Sequence, residues 1–339
     1  MKRIRTEDAV GHVLCHDMTQ IIPGVSKGPR FRKGHVVTEE DIPVLLSMGK
    51  ENLFVWEMEP GMVHENDAAE RLAALCGREN MTWSETKEGK IELKSAIEGV
   101  FLVDSARLFA VNSIDELMIA TRRGGGTVHP GDKLAGTRVI PLIIREEKLR
   151  QAEQAAGSAP LLSVRPFVRR TAAVITTGSE VAKGRIPDSF TPVVERKLAA
   201  FGIRMTEHIL VEDGQENVLE AIEQMKRRPV DMILCTGGMS VDPDDSTPGA
   251  IKASGADIVT YGAPVLPGAM FLLGYYGDGR PVMGLPGCVM YAKATIFDLV
   301  LPRIAADVRL EKRDFVAFGE GGLRLGCESW TYPHCGFGR

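Results

Sequence analysis

No apolar run in the chain approaches the roughly 18 residues of a membrane-spanning helix, so a span across a bilayer is not expected. The first residues, MKRIRTEDAVGHVL, are charged where a secretory leader carries an apolar core, and a cytoplasmic location is expected. Cysteine is sparse. Six thiols are scattered through 339 residues, and Cys235 and Cys288 stand inside apolar runs, which argues against a disulfide framework and predicts reduced thiols. An excess of positive charge is missing too: 41 Lys and Arg against 45 Asp and Glu leave a net charge of −4. With no basic tract, neither nucleic acid nor a membrane surface is an expected partner, and an anionic ligand must be held by local groups. Internal repeats and low-complexity tracts are also absent.

What is present is ordinary for a globular protein: 44% hydrophobic and 25% charged residues, with length enough for two or three domains. The pattern suggests an N-terminal αβ unit over 1–59, a middle α+β region with a connecting helix over 60–159, an α/β domain over 160–310 and a tail over 311–339. In the first of these, Thr38 before Glu39, Glu40 and Asp41 reads as a capped helix start, and Asn52 to Trp56 reads as a strand. His16, Asp17, Lys33 and His35 either line a site there or are solvated turn residues. In the middle region Asp67 to Cys76 and Glu146 to Ala156 read as helices, and Thr137 to Ile144 as a buried strand.

The second half alternates more clearly. Strands are expected over Ala172–Thr176, Met205–Val211 and Val230–Thr236, with helices over Thr191–Phe201 and Gln215–Met225 between them. Short strands over Asp257–Val259 and Pro281–Met283 and a helix from Val289 to Leu301 follow. Such alternation predicts an α/β fold, a mostly parallel sheet flanked by helices, beside a smaller mixed αβ N-terminal region. Ligands in such sheets sit outside the carboxyl ends of the strands. Thr177 to Glu180, Asp213, Gly237 to Asp245 and Leu285 to Gly287 all follow strands and should meet at one edge.

The stretch MILCTGGMSVDPDDSTPGAI, Met232 to Ile251, is the centre of this pattern. An apolar strand breaks at Gly237 and Gly238, passes Asp242, Asp244 and Asp245, and enters a helix at Ser246, Thr247 and Pro248. Glycines beside a helix start suit a phosphate. Three carboxylates have the wrong sign for one, unless a hard cation such as Mg²⁺ bridges them. The alternative is a solvated acidic turn.

TGGMSVDPDDSTP resembles the TGG…D-x-T-P signature of the molybdopterin-binding domain of molybdenum cofactor biosynthesis proteins, in both its molybdotransferase and adenylyltransferase branches. ITTGSE at Ile175 to Glu180, KGRIPDSF at Lys183 to Phe190 and GLPGCVMY at Gly284 to Tyr291 resemble three further motifs of that family, in order. The resemblance covers Arg170 to Ile304. It implies a transferase that binds molybdopterin or its adenylylated form, with Mg²⁺ and in one branch ATP or AMP, and assists molybdate insertion, as a homo-oligomer (dimer or trimer). Asp213 and Asp245 take the implied catalytic positions, and Asp245 with Asp242 the metal positions. Thr177, Gly178, Ser179, Glu180, Asp188, Gly237, Gly238, Ser240, Thr247, Leu285, Pro286 and Gly287 take the cofactor-binding ones. Val241 and Asp242 stand where a glycine is common in the molybdotransferases, a departure that affects the phosphate contacts. A carrier or sensor of the finished cofactor is the alternative, and a nucleotide-cleaving relative of the same fold a further one. In the tail, Cys327, His334 and Cys335 are soft ligands short of the four that a tetrahedral zinc site uses, so a loosely docked tail is expected, with a metal site completed by another chain as the alternative.

Overall fold

The structure is a computed structural model that describes residues 2–22, 26–55, 60–240 and 246–325. The chain divides into two compact units, Met1–Ala96 with Val103–Arg122 and Gly131–Ser163, and Ile97–Leu102 with Arg123–Pro130 and Val164–Arg339. The expected boundary near residue 59 therefore does not separate compact units. Strand-forming residues from 97–102 and 123–130 belong with the second unit instead.

The first unit is built from small antiparallel sheets. Lys2–Arg5 pairs with Asn52–Val55, Met18–Ile22 with Ser26–Phe31, and Met62–His64 with Ile143–Arg145. Lys90–Ser95, Met81–Trp83, Lys133–Val139 and Leu117–Thr121 form a four-stranded sheet. Leu14, Met18, Phe31, Val37, Leu45 and Leu53 make one core cluster. The helix expected after Thr38 begins at Asp41, whose carboxylate accepts from the Thr38 N–H and hydroxyl, each at 2.8 Å, and lies 2.7 Å from His35 Nε2. His35 is thus held by that helix start. The single strand expected over Thr137–Ile144 is two, Lys133–Val139 and Ile143–Arg145, because the Pro141 turn sends the chain to a different partner.

The second unit holds a six-stranded sheet of β1 (Thr171–Thr177), β2 (Arg204–Val211), β3 (Met232–Thr236), β4 (Asp257–Tyr261), β5 (Leu272–Tyr275) and β6 (Pro281–Leu285), in the order β2-β1-β3-β6-β5-β4. The first four in that order are parallel, and β5 runs antiparallel to both its neighbours. Central β3 is buried along its whole length, as its unbroken apolar run MILC requires, whereas edge strand β2 alternates in exposure. Period-two alternation sends Val174, Leu234 and Met283 to one face, against α1 (Thr191–Ala199) and α4 (Ile296–Ala305). It sends Ala173, Ile175, Ile233 and Cys235 to the other, against α2 (Gln215–Lys226) and α3 (Thr247–Ala253). The two faces bury two separate clusters, which makes this an α/β layer fold.

Two expectations are corrected. β5 has no counterpart in the sequence reading, since four buried residues followed by the Gly277–Gly279 turn leave no period to count. The helix expected from Val289 is a 3-10 turn over Gly287–Met290 followed by α4 from Ile296. The interruption has a chemical cause. Thr295 starts α4 with a capping box in which its N–H donates to Asp298 Oδ2 at 2.8 Å and its hydroxyl accepts from the Phe297 N–H at 3.2 Å. Lys197 of α1 then pairs with Asp298 and ties the two helices of that face together. Among the described residues no helix is long and apolar enough to cross a membrane, and Cys15, Cys76, Cys235 and Cys288 are free thiols.

Candidate functional site

Because β2, β1, β3 and β6 are parallel neighbours, Gly178, Asp213, Gly237 and Pro286 all leave their strands at the same edge. The connection from β2 to β3 crosses over β1, so the strand order reverses between β1 and β3, where open α/β sheets form their crevices. The antiparallel β5 begins at that edge and brings Gly268–Met270 to it.

A cavity of about 470 Å³ opens there, lined by Gly237–Ser240 after β3, Gly268–Met270 before β5, and Pro286–Cys288, Met290 and Tyr291 after β6. The turn after β3 is held from both sides. Thr177 Oγ1 donates to Thr236 O at 3.1 Å, and Thr247 donates to Gly237 O through its hydroxyl at 2.9 Å and to Gly238 O through its N–H at 3.2 Å. Gly237 adopts φ +85°, and a Cβ on it would fall 2.4 Å from Thr177 Oγ1 and 2.5 Å from Thr177 O, so glycine is required there twice over. Among the described residues the lining carries no carboxylate, lysine or arginine. Its polar reach comes from backbone and Ser240, its body from three methionines, Cys288 and the exposed ring of Tyr291. Burial pushes the Cys288 thiol up, so it stays protonated at neutral pH, and Cys235 beneath the turn is pushed up to about 12 by the same cause.

Beside the cavity the ends of β1 and β2 are latched together. The Ser179 N–H donates to Asp213 Oδ2 at 2.8 Å, the Asp213 N–H donates back to Ser179 Oγ at 3.4 Å, and Lys183 pairs with Glu212 at 2.8 Å. Asp188 starts α1: Oδ1 accepts the N–H groups of Phe190 at 2.8 Å and Thr191 at 3.0 Å, and Oδ2 accepts the Thr191 hydroxyl. Thr191 Oγ1 in turn lies 3.1 Å from His208 Nε2 and 3.0 Å from Thr176 Oγ1. Burial alone would raise Asp188, but its hydrogen bonds from Thr191 and Phe190, together with His208, outweigh that and hold the carboxyl below the usual carboxylate range.

That shift has a sign. A carboxyl lowered on folding contributes stability that is present above its unfolded pKa, near 4, and is lost as the pH falls through the folded value. Asp188→Asn should therefore cost about 1–2 kcal/mol at neutral pH, by analogy with hydrogen bonds to charged groups, and flatten the acid limb of the stability curve below about pH 5. Urea denaturation at a series of pH values measures both, and an unchanged acid limb would contradict the assignment.

The structure thus sorts the expected site residues. Gly237, Gly238, Ser240, Pro286 and Gly287 line the cavity. Thr177, Thr247 and Leu285 are buried behind it, and the two hydroxyls are occupied by backbone carbonyls, so they shape the turn instead of presenting donors to a ligand. Gly178 and Asp213 stand at the neighbouring strand ends, Ser179 and Glu180 in the short helix after Gly178, and Asp188 ahead of α1, all outside the lining. Asp242 and Asp245 lie outside the described residues, as do Cys327, His334, Cys335 and Trp56. Met239, Met270, Cys288, Met290 and Tyr291 went unassigned in the sequence reading. Met239, Cys288, Met290 and Tyr291 stood within or beside recognised motifs, but only the antiparallel placement of β5 brings Met270 to them. For a metal, no group of three His, Cys, Asp or Glu side chains suited to hold an ion exists among the described residues, so those residues do not by themselves fit Mg²⁺.

Residues 173–306 match the family model described as "Probable molybdopterin binding domain", and residues 3–57 match one described as a domain of unknown function. A 90-residue stretch is 33% identical to proteins named competence-damage inducible protein in Bacillus cereus strain AH187 and in Bacillus anthracis, covering 26% of this chain and 22% of theirs. The chain thus spans about a fifth of the length of these curated relatives. Among solved structures, CinA of Thermoplasma acidophilum, described as of unknown function, aligns over 40% of this chain and 98% of its own, at 18% identity and a TM-score of 0.35. The molybdopterin biosynthesis enzyme MoaB of Thermus thermophilus aligns over 42% and 98%, at 17% identity and a TM-score of 0.33.

Proposed function

Taking residues 173–306 as a domain of the molybdopterin-binding family, we propose that the chain binds molybdopterin in the cavity over β3, β5 and β6 and serves molybdenum cofactor biosynthesis as a molybdotransferase. The observation that carries this reading is the place of the cavity. It lies at the carboxyl edge beside the reversal of strand order, and its volume of about 470 Å³ is that of a small-molecule site. Pro286, Met290 and the Tyr291 ring offer apolar faces to a flat heterocycle, and methionines adapt their shape to such a guest. At Gly287, where a Cβ would meet nothing within 4 Å, the open backbone leaves room for a phosphate to approach amide groups closely. In the transfer itself this chain would position molybdopterin or its adenylylated form against molybdate, so that catalysis is chiefly orientation. Mg²⁺ belongs to the proposal on the strength of Asp242 and Asp245 in the sequence, and its chemistry would be charge neutralisation at the phosphate.

One observation favours the carrier reading as the second choice. Among the described residues the cavity lining has no charged side chain to drive chemistry, and a binder needs none.

A steric block tests the binding itself. Gly287 is part of the cavity lining and a Cβ on it meets nothing within 4 Å, so Gly287→Trp can be built on the existing backbone and sets an indole at the cavity wall. The variant should keep its stability within about 1 kcal/mol and lose molybdopterin affinity by at least about tenfold. An anaerobic fluorescence titration of the full chain measures this. Undiminished affinity in the tryptophan variant would move the ligand elsewhere.

A further inference from the structure

Away from the cavity, the six-stranded sheet of the second unit is left open at β2, its outermost strand, which pairs with β1 on one side only. The Gly178 N–H donates to Val211 O at 3.1 Å, so the backbone of Val211 faces β1. Peptide groups alternate in direction along a strand, which turns the N–H and C=O groups of His208 and Leu210 outward, where no described strand meets them. Sheets commonly blunt such an edge with lysine, with proline or with a bulge that twists it away. β2 carries neither lysine nor proline, and its one shift of register falls between Met205 and Glu207, ahead of the stretch in question. Leu210 stands 42% exposed beside the open backbone.

A groove of about 520 Å³ accompanies this edge, lined by Ile209 and Val211 of β2, Glu212 after it, and Asn217, Glu220, Ala221 and Gln224 of α2. The α2 residues recur at intervals of three and four, so one stripe of the helix forms the wall. No residue of β1 lines the groove, which puts it on the free side of β2. Its floor of Ile209, Val211 and Ala221 is apolar, and its charged members are Glu212 and Glu220, with no lysine or arginine among them. Lys183 pairs with Glu212 at 2.8 Å, both side chains half exposed, and Arg228 meets Glu207 at 3.8 Å. Glu220 has no hydrogen-bond or ion-pair partner among the described residues, and Glu216, one turn before it on α2, is exposed and of the same sign. Glu180 and Asp213 also act on Lys183, so carboxylates outnumber cations around the groove.

We propose that β2 and this groove form a docking site for an extended, basic segment of another protein, which joins the sheet as a further strand. His208 and Leu210 supply its backbone hydrogen bonds. Alternate side chains of the added strand fall toward the groove, where lysine or arginine meets Glu220 and Glu212, and the side chains between them lie beside Leu210, which favours apolar residues there. The open backbone sets the partner's conformation, and the acidic rim selects it by charge. The site uses none of the residues that line the molybdopterin cavity.

A short synthetic peptide of alternating lysine and valine, labelled with a fluorophore and titrated by anisotropy against the full chain, tests this. The expected dissociation constant is below about 100 μM at low salt, and binding should weaken several-fold at about 0.5 M salt. The same peptide N-methylated throughout its backbone keeps the charge and loses every strand donor, so it should bind at least about tenfold more weakly. That comparison needs no variant of the protein. A peptide of alternating glutamate and valine should not bind, and Glu220→Gln should weaken the lysine peptide several-fold. Leu210→Pro removes an N–H that faces solvent, a change an edge strand tolerates, and should abolish binding. In the native chain, amide hydrogen exchange at His208 and Leu210 should slow when the lysine peptide is present. Gly287→Trp should bind the peptide like the native chain, which separates this site from the cavity. Undiminished binding of the N-methylated peptide would reduce the contact to charge attraction and overturn strand addition, as would absence of binding at about 1 mM peptide. A native chain that sediments as a dimer and becomes monomeric in Leu210→Pro also overturns the proposal, because a second copy then occupies the edge.

Discussion

Gly237→Ala should destabilise the protein by about 2–4 kcal/mol and abolish ligand binding at the cavity. Two costs act together. The residue sits at φ +85°, where an L side chain is strained, and its new Cβ would lie 2.5 Å from the backbone oxygen of Thr177, which no rotamer change can relieve. The chain must instead lift the turn away from β1, breaking the bonds that run from Thr177 to Thr236 and from Thr247 to Gly237. Since that turn supplies Gly237 to Ser240 to the cavity wall, loss of stability and loss of binding share one cause. Gly184→Ala is the control, because Gly184 has φ +68° but meets nothing within 4 Å. It should show the backbone cost alone, about 1 kcal/mol. Chemical denaturation of the two variants, with molybdopterin titration of each, makes the comparison. If Gly237→Ala is no worse than Gly184→Ala and still binds, the tight turn is not what shapes the site.

The second large effect is expected at Asp245, in the D-x-T-P element of the sequence. Asp245→Asn keeps the size of the side chain and removes one negative charge. If this carboxylate holds Mg²⁺ at the phosphate, the rate of molybdate insertion should fall by about 100-fold or more while molybdopterin affinity changes little. Apo affinity should even improve slightly, because a carboxylate that repels the phosphate has gone. A structural aspartate would behave differently, lowering stability, affinity and rate together. Rate, affinity and Mg²⁺ dependence measured on the same folded variant distinguish the two outcomes. Native turnover with unaltered Mg²⁺ dependence would leave the carrier reading in place of the transferase.

Much of the second unit could be read without coordinates. Its α/β class follows from local signals: the unbroken apolar run at Met232 to Cys235 for a strand covered on both faces, and amphipathic spacing over Gln215–Lys226 for a surface helix. The convergence of Gly178, Asp213, Gly237 and Pro286 was legible for the same reason. Parallel strands joined by helices put every post-strand loop at one edge, whatever the order of the strands. Local pattern also placed the helix Glu146–Ala156 at its observed bounds, where helix formers run uninterrupted to Gly157.

The rest was decided by contacts between residues far apart in the chain. Nothing near Thr177 or Thr247 shows that their hydroxyls will be taken by carbonyls 59 and 10 residues away, so phosphate donors and turn braces look alike until the turn is folded. The four residues of β5 carry no period long enough to count, yet their antiparallel pairing with β6 is what delivers Gly268–Met270 to the cavity. The cluster around His64 is the clearest case. Lys33, which the sequence offers either as a site residue or as a solvated turn residue, is 31 residues from His64 in the chain, yet its Nζ stands 3.1 Å from His64 Nδ1. The same buried imidazole reaches back 49 residues to the Cys15 carbonyl at 2.8 Å. Periodicity records which face of an element is apolar and therefore which way it packs. Hydrogen-bond partners at long sequence separation depend on tertiary geometry, which no local pattern encodes.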